Sequence, residues 1–167
     1  NVGATGYKRS WTDNLLWHHT THLLDLGLWI MGDPVKDVSS WMPTPDSNTG
    51  IPMDLYLGVE TTGDRSLVCT GSYYSRENIF DIFIISDRNS YRLDVFNNTI
   101  NIGSDMTAIA PEPENCALIT RDFVESVREG RDSAVTGDSV LPAMTVLQQI
   151  QEQWDKIHGV RGIPGRP

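Results

Sequence analysis

The sequence predicts an α+β domain, an open and mainly antiparallel sheet of about six strands with helices on one face. Three observations predict it. A helical spacing of apolar residues covers 13–31, strand-like runs joined by short turns fill 35–102, and two more helical spacings follow at 116–129 and 138–158. The chain of 167 residues is long enough to bury one real core.

Each element has a local reason. Thr12 is placed to cap the first helix, with Asp13 in its first turn. Gly32 is the expected left-handed stop, and Pro34 forbids continuation. Gly27 sits inside this helix, where glycine costs roughly 1 kcal/mol relative to alanine; close approach of another backbone is the expected reason. Val35 to Met42 reads as a strand, and Pro43 to Pro52 as a loop rich in Pro, Asp, Ser and Asn. Met53 to Thr62 alternates apolar and polar residues, Gly63-Asp64 turns the chain, and Ser66 to Tyr74 returns as a hairpin. Ile79 to Ser86 is a strand, followed by the turn Asp87 to Ser90. Tyr91 to Phe96 and Thr99 to Ile102 flank a tight turn at Asn97-Asn98. Gly103 to Asn115 reads as a loop. Cys116 to Glu129 places Leu118, Ile119, Phe123 and Val127 on one helical face, and Gly130 ends it. Asp138 or Ser139 caps the last helix, whose inner face is expected to be Leu141, Met144, Leu147, Ile150 and Trp154. The tail Gly159 to Pro167 is expected to fray. Tyr56, Tyr73, Phe80 and Phe83 are candidates for an apolar outer sheet face, through which copies would associate as a homodimer or homotetramer.

Composition narrows the function. A formal net charge of −9 and the lack of any densely basic window argue against nucleic acid and anionic membrane surfaces as partners. The oily run Leu23 to Met31 is broken by Asp25 and is too short to cross a bilayer. No signal peptide or lipidation motif is visible, and Cys69 and Cys116 lie far apart with no CxxC. The expectation is reduced thiols in a cytoplasmic protein. Val2-Gly-Ala-Thr-Gly6 matches neither the dinucleotide nor the P-loop spacing. The first residue is Asn1, so the chain reads as a piece of something longer.

Three of the 4 histidines fall in the first helix. At about 100° per residue, His18, His22, Asp25 and Trp29 share one stripe, with His19 off to one side. Three readings compete. The polar groups could satisfy one another inside a helix–sheet interface. His18, His22 and Asp25 could ligate a metal as a metal-binding or metal-dependent hydrolase domain, although the glutamate of an HExxH motif is absent. Or an imidazole could move a proton to or from a substrate hydroxyl, with Arg9 as a fork for a substrate carboxylate.

The run His22-Leu-Leu-Asp25-Leu-Gly-Leu-Trp29-Ile-Met-Gly32-Asp-Pro34-Val resembles the opening helix of the C-terminal domain of the Gfo/Idh/MocA oxidoreductases. Arg121 to Arg131 and Thr136 to Leu147 resemble the family's two closing helices. The resemblance implies that residues 1–167 form one substrate-binding and oligomerisation domain, preceded in the whole enzyme by a Rossmann domain that binds NADP or NAD. It implies that this piece alone is inactive. The family carries Asp-x-x-x-His on this helix; His22 occupies the histidine position, and His18 stands where the Asp would be. The resemblance thus makes His22 and His18 the catalytic pair. Arg9, Trp11, His19 and Asp25 become substrate-binding residues. Arg9 to His19, with Ile51-Pro-Met-Asp-Leu55, is similar to members that oxidise a cyclic hemiacetal of a dicarboxylated ring-cleavage product with NADP. The implied substrate is therefore a small anionic or polyol molecule. A non-catalytic scaffold assembling through its sheet is the remaining alternative.

Overall fold

A computed structural model describes residues 14–108 and 115–159 of the chain. The fold is α+β as the sequence predicts; among the described residues there are seven strands rather than six, hydrogen-bonded into two antiparallel sheets rather than one. The chain divides into two compact units, residues 1–74 with 135–167, and residues 75–134. Among the described residues no helix is long and apolar enough to cross a membrane.

In the first unit a π-helical turn, Leu16–Thr20, leads into α1, Thr21–Met31. Gly32 closes α1 at φ 68°, and its N–H donates to the Leu28 carbonyl at 2.9 Å, the stop the sequence predicts. The predicted cap Thr12, with Asp13, lies outside the described residues. Within them, the buried Asn14 accepts the Trp17 N–H on its side chain at 3.0 Å.

Strands β1 (Val35–Trp41), β2 (Asp54–Thr61) and β3 (Ser66–Ser72) form a meander in that order. Their register places Trp41, Tyr56 and Thr70 side by side on one face. Alternation along β2 buries Leu55, Leu57, Val59 and Thr61 on the other. That inner face meets Leu24, Leu28 and Met31 of α1 and Ala143, Val146, Leu147, Ile150 and Trp154 of α3 (Leu141–His158), which together make the core. Gly27 faces a side chain and not a backbone: a Cβ there would lie 2.6 Å from Leu67 Cδ2.

Helix α3 departs from its predicted face and cap. Leu141 and Met144 are exposed, and Ala143, Val146 and Gln151 take the buried places. A 3₁₀ turn, Asp138–Val140, precedes the helix; neither Asp138 nor Ser139 caps it, and Thr136 Oγ1 accepts the Ser139 N–H at 3.2 Å. The turn sets α3 at a different phase from one begun at residue 138.

The second unit carries β4 (Asp81–Ile85), β5 (Ser90–Asp94), β6 (Thr99–Ile102) and β7 (Asp105–Ala108), paired consecutively. β7 lies in the stretch read as a loop: Gly103, at φ 61°, turns the chain back on β6 and pairs Ile102 with Asp105. The Asn97-Asn98 turn forms as expected, with Asn98 at φ 52° and Asp94 accepting the Asn97 N–H at 2.9 Å. Helix α2 (Asn115–Glu129) ends at Gly130, φ 65°. Its apolar residues Leu118, Ile119, Phe123 and Val127 are exposed, whereas a buried face was expected.

A histidine cluster on the first helix

The geometry of the first helix is set by its two threonines. Thr20 Oγ1 donates to the Leu15 carbonyl five residues back at 3.0 Å, and Thr21 Oγ1 donates to the Trp17 carbonyl at 2.7 Å. Hydroxyls that reach back to helix carbonyls compete with the regular ladder. Here the ladder widens to a π turn between the buried Asn14 and α1. Trp17 fixes the turn to α3 by donating its indole N–H to Gln151 Oε1 at 3.1 Å. Gly71 of β3 leaves room for Leu15, whose Cδ1 would stand 3.2 Å from a Cβ there.

A π turn rotates successive residues through a smaller angle than an α turn, because each carbonyl bonds five residues on. His18 and His19 therefore diverge less than the sequence predicts, and their ring centroids are 4.2 Å apart. Tyr73, one residue beyond β3, completes the group. Its hydroxyl lies 3.3 Å from His18 Nδ1, and its ring stands edge-on to His19 with centroids 5.5 Å apart. Tyr73 was expected on the outer sheet face. It packs instead against the core cluster on the inner side. The signal was present: Leu67, Cys69, Gly71 and Tyr73 share one parity along the strand. Of the other outer-face candidates, Tyr56 and Phe83 are exposed and Phe80 is half-buried.

The strand end that carries Tyr73 is pinned on both sides. The Tyr73 N–H donates to the Met53 carbonyl at 2.8 Å, Ser72 Oγ donates to Asp54 at 2.5 Å, and the Tyr74 hydroxyl donates to Asp46 at 3.2 Å. Asp46 also accepts the N–H groups of Asn48 and Thr49, and the Asn48 bond above all holds its carboxyl below the usual range.

His18, His19 and His22 are exposed, and Asp25 is half-buried. A histidine stripe satisfied inside a helix–sheet interface is therefore not what forms. Among the described residues His22 has no hydrogen-bond partner, and His18 is engaged by Tyr73 rather than by His22. Trp29, at the end of the predicted stripe, is 80% exposed. Arg9 and Trp11 lie outside the described residues, as does the Val2–Gly6 stretch. Among the described residues no group of three His, Cys, Asp or Glu side chains is disposed to hold a metal ion, so the metal alternative finds no support in the geometry. Cys69 is buried in the core as a free thiol, pushed up to about 11 by loss of water.

The model of the family described as "Bacterial oxidoreductases, C-terminal" matches residues 1–108. The chain belongs to that family. This is the C-terminal domain of the Gfo/Idh/MocA oxidoreductases that the helical motifs resemble. Within it, the chain is 28% identical over 161 residues to the 4-carboxy-2-hydroxymuconate-6-semialdehyde dehydrogenase of a Sphingobium species, covering 93% of this chain and 50% of that protein. Two solved structures share the fold. UDP-N-acetylglucosamine 3-dehydrogenase from Acidithiobacillus ferrooxidans superposes with TM-score 0.76 at 17% identity, over 85% of this chain and 47% of that one. An Agrobacterium radiobacter oxidoreductase bound to NAD+, L-tartaric acid and magnesium superposes with TM-score 0.72 at 13% identity, over 85% of this chain and 47% of that one. The chain thus spans about half the length of the relatives it matches.

Proposed function

We propose that this chain is the substrate-side domain of an NAD(P)-dependent dehydrogenase, with His22 as the acid/base group. The observation that carries the reading is an exposed His22 with no partner among the described residues, beside His18 and His19, in an oxidoreductase C-terminal domain. An exposed imidazole can take the proton of a substrate hydroxyl. In the oxidation of an alcohol or cyclic hemiacetal, the O–H proton goes to His22, the carbon–oxygen double bond forms, and the carbon gives up a hydride. Accepting that hydride is the chemistry a nicotinamide supplies.

The described residues offer no cradle for the dinucleotide itself. α1 continues from a π turn and α3 from a 3₁₀ turn, so neither starts from a strand and glycine loop with free N–H groups for a pyrophosphate. We assign NADP or NAD to an N-terminal Rossmann domain and residues 1–167 to a single C-terminal domain, inactive alone. The substrate class follows the relatives' names, a carboxylated semialdehyde or a sugar nucleotide, hence a small anionic or polyol molecule. Arg9, Trp11, His19 and Asp25 are assigned to substrate binding, Arg9 as the partner of a carboxylate. Association as a homodimer or homotetramer would use the outer face that exposes Trp41, Tyr56 and Val68. A buried, reduced Cys69 suits a cytoplasmic enzyme.

The test is turnover of the full-length protein with NADP or NAD and a panel of carboxylated hydroxy-aldehydes and sugar nucleotides. His22→Ala should lower kcat by about 10²–10⁴-fold, the usual worth of a positioned acid/base. An unchanged kcat would leave His22 without a chemical role. NAD(P)-dependent turnover by residues 1–167 alone would refute the division of labour between domains.

A further inference from the structure

We propose that Gln151 of α3 is a positioning residue for the histidine turn: its buried amide holds Trp17 by the indole N–H and so sets where His18 and His19 stand for the substrate. The inference rests on the reading of this turn as the substrate side of a dehydrogenase.

Gln151 is a polar side chain in an apolar place. It is 3% exposed, and its neighbours on α3, Leu147, Ile150 and Trp154, belong to the core. An amide buried there is costly unless both its ends are bonded, and leucine or methionine would fill the space without that cost. Both ends are bonded. Oε1 accepts the Trp17 indole N–H at 3.1 Å, and Nε2 donates to Asp155 Oδ1 at 2.9 Å. The chemistry of the partners fixes which end is which. An indole nitrogen only donates, and a carboxylate only accepts. A flipped amide would set N–H against N–H at one end and oxygen against oxygen at the other. Asp155, one turn along α3, therefore aims the acceptor at Trp17.

Trp17 passes that hold to the histidines. Its backbone N–H donates to Asn14 Oδ1 at 3.0 Å, and its carbonyl accepts Thr21 Oγ1 at 2.7 Å. The next residue, His18, donates its own N–H to the Asn14 carbonyl at 3.0 Å. These bonds are local to the turn. The bond to Gln151 reaches out of it, to a helix 134 residues further along the chain.

The void that Gln151 shares with Asn14, Leu15, Leu16, Met42 and Pro52 is too small for a water molecule, so no solvent on that side can stand in for a lost acceptor. Trp17 is half-buried. Without Gln151 its indole N–H reaches water only by turning outward. The backbone of His18 would turn with it, and so would the paired rings of His18 and His19, whose centroids are 4.2 Å apart.

The test uses the full-length protein. Gln151→Met keeps the length and removes the acceptor; Trp17→Phe keeps an aromatic ring and removes the donor. Each should raise KM for a carboxylated substrate about tenfold, the loss of one hydrogen bond to a charged group, with kcat within about twofold. The double variant should be no worse than either single one, since the two changes remove the same bond. Histidine-selective 15N NMR should show the ring resonances of His18 and His19 shifted in both single variants. A purely structural glutamine would lower the urea midpoint and leave KM and the resonances unmoved, and that result would overturn the proposal. Unchanged KM in the two single variants would overturn it even if the resonances move, and so would KM effects that add in the double variant. If Gln151→Met does not fold, Trp17→Phe decides on the same readings. Failure of the dehydrogenase reading shows separately, as unchanged kcat in His22→Ala, while the resonances still decide whether Gln151 sets the turn.

Discussion

Replacing Gly27 by alanine should destabilise the domain in the wild type and stabilise it once Leu67 is shortened. Two effects oppose each other. Inside a helix, alanine is better than glycine by about 0.8–1.0 kcal/mol. Against that, the new Cβ would stand 2.6 Å from Leu67 Cδ2 and 2.8 Å from Cδ1. Carbon atoms in good contact are about 3.5–4.0 Å apart, so the leucine tip must retreat by about 1 Å. Leu67 packs against the core with its tip on α1, and overpacking of this kind costs about 1–3 kcal/mol. The net for Gly27→Ala is a loss of about 1 kcal/mol, the midpoint of the overpacking range less the helix gain. With Leu67→Ala the obstruction is gone, and Gly27→Ala should then add about 1 kcal/mol. The coupling between the sites is therefore about 2 kcal/mol, well above what independent sites show. Urea unfolding of the four proteins measures it, read from the midpoints at constant slope. A Gly27→Ala protein as stable as wild type or more so, with Leu67 intact, would refute the argument that Leu67 excludes a side chain there.

Two further outcomes follow from single buried groups. Burial raises the Cys69 thiol from 9.0 to about 11, so the folded state holds its proton where the unfolded state releases it. Its contribution to stability is complete below pH 9 and declines as pH rises from 9 to about 11, which unfolding midpoints across that range in Cys69 and Cys69→Ala proteins would register; a thiol that reacts with a small disulfide reagent at pH 8 as fast as in urea would contradict this burial. Thr20→Val removes the hydroxyl that satisfies the Leu15 carbonyl and should cost about 1–3 kcal/mol, with shifted ring resonances of His18 and His19. Unmoved histidine resonances would mean that the hydroxyl does not maintain the π turn.

The strand meander was legible because each strand alternates against the buried face and each turn carries Gly, Asp or Asn. Gly32, Asp64 and Asn98, which the sequence marks as stops and turns, all take positive φ. What escaped depended on local helical phase. The π turn has no composition signal of its own. It arises from two threonine hydroxyls bonding backward and from room left by Gly71, which sequence periodicity does not register. The same is true of the 3₁₀ turn before α3, which moved Leu141 and Met144 outward. At the site, the histidines were legible but their partner was not. Counting parity from Cys69 places Tyr73 inside, whereas the sequence reading grouped it with Tyr56, Phe80 and Phe83 as an outer-face candidate. β7 was hidden by polar, loop-like residues, and only its register against β6 makes it a strand.

The π turn sets an angle that the core itself holds, because Leu15, Leu16 and Thr20 of this stretch are buried. Leu24, Leu28 and Met31 keep α1 locked to the sheet, while everything before Thr20 is wound back by the extra residue in the turn. Removing or adding one residue there would swing the imidazoles around the helix axis and pull Leu15 and Leu16 from their places in the core. The orientation of His18 and His19 is therefore coupled to folding: it cannot be changed by a residue gained or lost in the turn without a cost in core packing.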